Sequence, residues 1–384
     1  MDRPEIQIED LLVRPWRKED AEAVHGACQD PDIQRWIPLP RPYEMSHALG
    51  FVTDFSNSTW DNRTAANFGV FDRSSGELLA NMGLVRIDIT AKNAELGYWT
   101  APAARGRGVA TRAGRAVTAW GFEALGIERL IWRADIGNHA SRLVALRIGF
   151  QMEGVQRGGL TAVDGSGRRV DGWIASMRPG DVTTTTPAST GPGSPAALRA
   201  QVFSRPTPRL ALPGGGVLRP ATDDDIDAMT AACQDPETLR WTTIPLGYQR
   251  SDAENFARVF APGAWQAGTA AIFAIADASG AYCGGIDMRI SQVDPSAGEI
   301  GFQVAPWARG RGLATEALRT LAVWGFDALG LTRIKWRAHV GNDGSRRVAE
   351  KAGFTFEGIE RQGSRHRGER RDSWVAAMLA TDPR

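Results

Sequence analysis

The segment ELGYWTAPAARGRGVATRAGRAVTAWGFEALG, residues 95–126, returns as EIGFQVAPWARGRGLATEALRTLAVWGFDALG at residues 299–330. Extended to 95–154 against 299–358, the two stretches share 33 of 60 positions without a gap, at an offset of 204. Self-similarity of this length marks a duplicated domain. Upstream, Arg14-Pro15, Gln29-Asp30-Pro31 and Trp36 recur at an offset of 205 as Arg219-Pro220, Gln234-Asp235-Pro236 and Trp241. Downstream, Asp171-x-Trp173 is answered by Asp372-x-Trp374. The chain therefore divides into a first copy at 1–180, a segment at 181–209 rich in Thr, Pro, Ser and Gly, and a second copy at 210–384. The run VTTTTPASTGPGSP cannot bury a core and reads as a linker, whereas the less biased Ala196–Phe203 is able to dock on a domain.

A length of 384 residues suits two domains. Forty-five Lys and Arg balance 44 Asp and Glu, and 42% of residues are hydrophobic, so the chain can bury sizeable cores and lacks the basic excess of a dedicated nucleic-acid binder. No uncharged apolar run approaches the eighteen or so residues of a membrane span. A soluble cytoplasmic protein with no membrane contact is expected. Three cysteines, Cys28, Cys233 and Cys283, form no disulfide framework and no metal-binding spacing, and no metal is expected. Cys28 and Cys233 fall at matching positions on an apolar helical face and read as small core residues.

Within one copy, IQIEDLLVRP reads as an edge strand pair, KEDAEAVHGACQ as a helix, and SHALGFVTDFSN as a second helix after a Pro-rich loop holding Trp36. Strands are expected at Ala66–Phe71, Leu78–Ile89 and Ala94–Trp99. A glycine loop, a helix from Thr111 to about Leu125, the strand Arg129–Ala134, a helix His139–Ile148 and two final strands follow. This order mixes antiparallel meanders with one strand-helix-strand crossover. The fold class is α/β with α+β character: two tandem domains, each a mixed, largely antiparallel sheet flanked by helices.

The loops Arg105-Gly106-Arg107-Gly108-Val109-Ala110-Thr111 and Arg309-Gly310-Arg311-Gly312-Leu313-Ala314-Thr315 carry the chemistry. Glycines let the backbone approach a ligand and turn several N–H groups one way, and the helix that follows adds the positive end of its dipole. That combination cradles a phosphate. It is not a GxxxxGK[ST] loop, and the sixth position of a GxGxxG is Thr rather than Gly.

The pattern [R/Q]-x-x-G-x-[G/A], matched by Arg105–Ala110 and Arg309–Ala314, resembles the pyrophosphate loop of the GNAT superfamily of acetyl-CoA-dependent N-acetyltransferases. The wider set AELGYW, RGRGVAT, FEALGIERL and N-H-A-S is similar to the branch containing the bacterial ribosomal-protein N-terminal acetyltransferases. The resemblance spans both copies and implies acetyl-CoA as co-substrate, with coenzyme A pyrophosphate held by backbone N–H groups of 105–110 and 309–314. Thr111 and Thr315 would lie at the helix start. Asn138 and Asn342 match the asparagine that contacts the pantetheine arm, and Asn there is equally an ordinary helix cap.

Acetyl transfer to an amine needs a base, donors for an oxyanion, and a proton for the leaving thiolate. By resemblance Glu95 and Glu299 occupy the base position, and Ser141 and Ser345 are candidates for aiding thiolate departure. The tyrosine that many members place seven residues after the asparagine is replaced by Ala145 and Ala349. A downstream glutamate of the ribosomal-protein branch is replaced by Leu160 and Ser364. Trp36 and Trp241 fall where related proteins border the acceptor cleft, and each is also a fit core anchor. The basic run Arg361–Arg371 reads as a solvated hairpin ahead of an RNA contact. The expected function is acetyl transfer to a primary amine, on a protein N-terminus, an antibiotic or a small molecule. One catalytic copy beside a non-catalytic acyl-CoA-binding or scaffolding copy, and a ribosome- or RNA-associated modifier, are the alternatives. The two copies are expected to pack as an internal pseudo-dimer.

Overall fold

The structure, a computed structural model, describes residues 1–291 and 294–383. It comprises two compact units, Met1–Gly191 and Pro192–Arg384. In the first unit β1 (Ile6–Ile8), β2 (Leu11–Pro15), β3 (Ala66–Asp72), β4 (Leu78–Asp88), β5 (Asn93–Thr100), β6 (Arg129–Asp135), β7 (Gln151–Thr161) and β8 (Arg169–Met177) form one sheet. Its helices are α1 (Ala21–Ala27), α2 (Pro31–Trp36), α3 (Met45–Gly50), α4 (Ser56–Asp61), α5 (Val109–Leu125) and α6 (His139–Ile148). The second unit opens with the helix α7 (Pro195–Phe203). Its strands are β9 (Leu210–Ala211), β10 (Val217–Arg219), β11 (Ala270–Ala276), β12 (Tyr282–Ile290), β13 (Ala297–Val304), β14 (Arg333–His339), β15 (Thr355–His366) and β16 (Glu369–Leu379). Its other helices are α8 (Ile226–Gln234), α9 (Pro236–Trp241), α10 (Arg250–Asn255), α11 (Ala261–Ala267), α12 (Leu313–Leu329) and α13 (Asp343–Ala352). The strand orders, β1-β2-β3-β4-β5-β6-β8-β7 and β15-β16-β14-β13-β12-β11-β10-β9, are mirror readings of one topology.

All neighbours are antiparallel except β5 with β6 and β13 with β14. These parallel pairs are short. β5 and β6 are in register only from Asn93–Arg129 to Glu95–Ile131, although the strands run on to Thr100 and Asp135. β13 and β14 pair from Ala297–Arg333 to Ile300–Trp336 and continue to Val304 and His339. Beyond those pairs each sheet is split by a wedge.

α5 forms because Val109, Ala113 and Val117 recur on one face, and it stops where Gly126 takes the left-handed conformation (φ 65°). That face packs on Phe68, Met82, Leu84, Leu96 and Trp132. The opposite face of the sheet is covered by a smaller cluster that includes Trp16, Val24, Ile33, Val52 and Trp99. The second unit repeats both layers. Cys28 and Cys233 are buried in the smaller clusters, as their spacing indicates, and burial pushes the Cys28 thiol up to about 11.

Two segments differ from the sequence expectation. The Pro-rich stretch holding Trp36 contains the short helix α2, because Asp30 caps it by accepting the Ile33 N–H at 2.9 Å and Pro31 suits the first helical position. The Thr/Pro-rich segment is docked rather than free. Thr183 N–H donates to the Ile148 carbonyl (3.0 Å) and Arg147 Nε to the Thr190 carbonyl (2.9 Å), so arginines satisfy a stretch that has no apolar core to offer. On the other side of the division Phe203 meets Trp265 edge-on at 4.8 Å. Among the described residues no helix is long and apolar enough to cross a membrane.

Gly114, a costly residue inside a helix on propensity alone, is there for room. A Cβ at this position would lie 2.4 Å from Ile148 Cδ1. The second unit has Leu318 and Ala352 at the corresponding places, both buried, so bulk has moved from α6 to α12. We expect Gly114→Leu to destabilise the first unit by about 1–3 kcal/mol through overpacking and Ile148→Ala by about 2–5 kcal/mol through a cavity. The double variant should recover most of the loss, read as a coupling energy in a denaturant cycle.

Candidate active site

Each wedge has a glycine loop at its mouth. Gly106, Gly108, Gly310 and Gly312 sit at φ 75°, 73°, 76° and 82°, and a Cβ at any of them would meet no protein atom within 4 Å. The left-handed backbone requires glycine, and the space above stays open. Val109, Ala110 and Thr111 in one unit, and Leu313 and Ala314 in the other, are buried, so the side chains anchor the helix start while the backbone faces out. Thr315 is half-buried beside them. Neither helix has a side-chain cap. The exposed first-turn N–H groups and the dipole of a 17-residue helix fit a pyrophosphate.

The arginines that open the motif have a second task. Arg105 donates to Asp30 (2.5 Å) and Asp32 (3.2 Å), and Arg309 pairs with Asp235 and donates to Thr238 Oγ1 (3.1 Å). They tie the glycine loop to the cap of α2 or α9. Arg311 reaches Asp277 at 3.4 Å, whereas Arg107 is exposed.

Asn138 and Asn342 cap α6 and α13, with Oδ1 accepting from the N–H of Ser141 (3.1 Å) and Ser345 (3.2 Å). Sequence reasoning passed over the partner of Ser141. The Tyr98 hydroxyl lies 3.0 Å from Ser141 Oγ and donates to the Ser141 carbonyl at 2.8 Å, while Trp132 Nε1 reaches both hydroxyls. Burial pushes the Tyr98 phenol up. The second unit has Phe302 instead, so its Ser345 lacks that partner.

Glu95 and Glu299 lie on the sheet face away from α5 and α12. Glu95, 13% exposed, is held by Arg86 at 2.5 Å and Arg133 at 3.5 Å. Glu299, 24% exposed, is held by Arg289 at 3.3 Å and Arg337 at 3.1 Å. Both carboxylates are engaged by guanidinium groups from neighbouring strands. On the same face of the second unit Asp287, opposite Gly301 on β13, pairs with Arg289 at 2.9 Å. Further along, Ser364 Oγ lies 3.0 Å from His339 Nδ1 and 2.7 Å from Ser373 Oγ. Asp287, His339 and Ser373 replace Gly83, Asp135 and Gly172 of the first unit, and searching for what the copies share does not single them out.

Trp36 and Trp241 are half-buried rather than core anchors, each with the preceding arginine over its ring, at 4.6 and 4.7 Å. Trp241 Nε1 donates to Glu237. The basic hairpin is partly structural, since Arg367 clamps the carbonyls of Leu239 (2.7 Å) and Ile244 (3.2 Å) beside Trp241. In the second unit one continuous cleft of about 1680 Å³ reaches from Gly310, Gly312, Thr315, Asn342 and Ser345 to Asp287, Glu299 and Trp241. Gln303 also lines it, where the first unit buries Trp99 at 8% exposure. Among the described residues no cluster of His, Cys, Asp or Glu is placed to hold a metal ion.

The description "Acetyltransferase (GNAT) domain" matches residues 10–151 and again 217–355. An uncharacterized N-acetyltransferase of Bacillus subtilis, YoaA, is 27% identical over 154 residues, 40% of this chain and 86% of its own length. Spermidine N(1)-acetyltransferase of Escherichia coli is 27% identical over 144 residues, 38% of this chain and 74% of its own. Among solved structures, the ribosomal-protein-S5-alanine acetyltransferase of Vibrio fischeri aligns at a TM-score of 0.42 and 18% identity, covering 47% of this chain and 99% of that one.

His339, which lines the cleft, and the buried His366 packed on it make stability depend on pH. Burial, then His366, Arg371 and Arg337, hold His339 below the ordinary histidine value, and burial with Arg371 and Arg367 does the same to His366. The unfolded chain binds these protons below about 6.5 while the folded one refuses them, so stability falls as pH drops through 6.5 toward the lower folded values. Denaturation at pH 7.5 and 5.5 should show this loss in the second unit, with the slope reduced in His339→Gln.

Proposed function

The chain belongs to the GNAT acetyltransferase family, and from that premise we propose that it moves the acetyl group of acetyl-CoA directly to a primary amine of a peptide N-terminus, an antibiotic or a small metabolite. The continuous cleft of the second unit carries this reading, because one open space joins the phosphate cradle, the sheet wedge and an acceptor side lined by carboxylates. Direct attack requires both substrates to be present together, and a single cleft admits both.

Acetyl-CoA would supply an activated thioester. Backbone N–H groups of 309–314, backed by the first turn of α12, hold the pyrophosphate, and those of 105–110 do so in the first unit. Asn342 and Asn138 contact the pantetheine arm while keeping α13 and α6 capped. The stretch of β13 beyond Ile300 has no register partner on β14, and its backbone N–H groups are donors for a developing oxyanion. Ser345 and Ser141 assist departure of the thiolate. Glu299 and Glu95 bear on the acceptor amine, and Trp241 and Trp36 border its entrance.

One observation favours unequal copies. Trp99 is buried in the small cluster of the first unit, whereas Gln303 leaves that place open to the cleft of the second. In this reading the second unit turns over and the first holds acyl-CoA.

Calorimetry with coenzyme A should find two sites per chain, and Gly108→Glu and Gly312→Glu should each remove one by steric and charge conflict with the pyrophosphate. Thiol release from acetyl-CoA, assayed over a panel of peptides, polyamines and aminoglycosides, should be lost with Gly312→Glu and kept with Gly108→Glu. Intact coenzyme A binding with no release from any amine would overturn the acetyl-transfer reading. Equal losses from the two variants would overturn the unequal one.

A further inference from the structure

Two carboxylates stand side by side on the acceptor face of the second unit, and their surroundings differ. Glu299 lies within the paired part of β13 and is gripped by Arg289 and Arg337. Asp287 lies opposite Gly301, the first residue beyond the last β13–β14 pair, and so stands at the edge of the wedge. Gly301 makes room for it, since a Cβ there would come within 3.0 Å of Asp287 Oδ1. Among the described residues Asp287 has one guanidinium partner, Arg289. The first unit has Gly83 at this place, where a Cβ would press on Asn67 Oδ1 at 2.9 Å.

We infer that Asp287 receives the ammonium of the acceptor and removes its proton, giving the second unit a base that the first does not have. The inference rests on the acetyl-transfer reading above. One ammonium proton passes to the Asp287 carboxylate, and the freed nitrogen lone pair forms the C–N bond at the thioester carbonyl carbon. The C–S bond breaks with its electron pair on sulfur. The thiolate takes the second proton released by the acylated nitrogen, and Asp287 returns its own proton to solvent.

Burial, with Glu299 alongside, lifts the Asp287 carboxyl to about 6 against the pull of Arg289. A base in that range is charged at neutral pH and still able to hold a proton. The cleft is also lined by Arg337 and His339 on β14, Asp252 on α10, and Tyr248 ahead of it. His339 is held below its ordinary value and Tyr248 above its own, so the limb is assigned by its loss in Asp287→Asn.

The test uses the full chain with Gly108→Glu, so that only the second unit binds acetyl-CoA, and butylamine and spermidine as probes. kcat/KM should rise through about pH 6. Asp287→Asn should lower it 10²–10⁴-fold and erase that limb while calorimetric coenzyme A affinity is unchanged. Glu299→Gln should keep the limb but move it to lower pH, because the neighbouring carboxylate that helps lift Asp287 is gone. Asp287→Asn with normal turnover and the same limb would overturn the assignment. Carbon-13 carboxyl NMR of aspartate-labelled protein supplies a readout that needs no turnover. A resonance that titrates near 6 and vanishes in Asp287→Asn supports the role, and one that titrates below about 4.5 overturns it. Failure of both probes with coenzyme A bound would count against the acetyl-transfer reading for those amines, whatever the NMR result.

Discussion

Each unit is organised by a parallel strand pair that stops early. β5 with β6, and β13 with β14, share only three or four register pairs before they part, and the sites follow from that interruption. Parallel neighbours need a crossover, here a 17-residue helix, and the crossover returns its N-terminal end to the mouth of the gap. The strand must turn into that helix within a few residues, which demands left-handed glycines at 106 and 108 and at 310 and 312. The ion pairs from Arg105 and Arg309 then fasten the turn to the neighbouring cap aspartate. Sheet, glycine loop and the segment of α2 or α9 are thereby fixed by one another.

The repeat and the glycine loops made the fold legible, because both are local patterns: apolar spacing along α5 and α12, alternation along the strands, and punctuation by glycine. The wedge was not legible, since the point where two distant strands cease to pair is not written in either strand alone. Helix α2 was hidden by prolines that read as a loop until Asp30 is seen to cap it. The glycine loops open α5 and α12, as the strand-turn-helix pattern of the sequence indicates. The arginine partners of Glu95 and Glu299 come from β4, β6, β12 and β14, so the engagement of these carboxylates could not be foreseen.

The copies share the glycine loops and the helices that follow them; several of the positions they do not share line the wedge. Tyr98 against Phe302, Trp99 against Gln303, Gly83 against Asp287 and Asp135 against His339 all lie along the wedge or on the face beside it. Residues that recur in both copies point to the glycine loops and not to the residues that distinguish the two units.

The exchange of bulk between Gly114 with Ile148 and Leu318 with Ala352 also bears on inheritance. A gene carrying two such similar stretches invites recombination between its own halves. A crossover falling between the long helix and the next would set Leu318 against Ile148 in one product and Gly114 against Ala352 in the other. The first core would be overfilled and the second hollow. The complementary pairs therefore set a packing cost on either hybrid domain, which the two present halves do not bear.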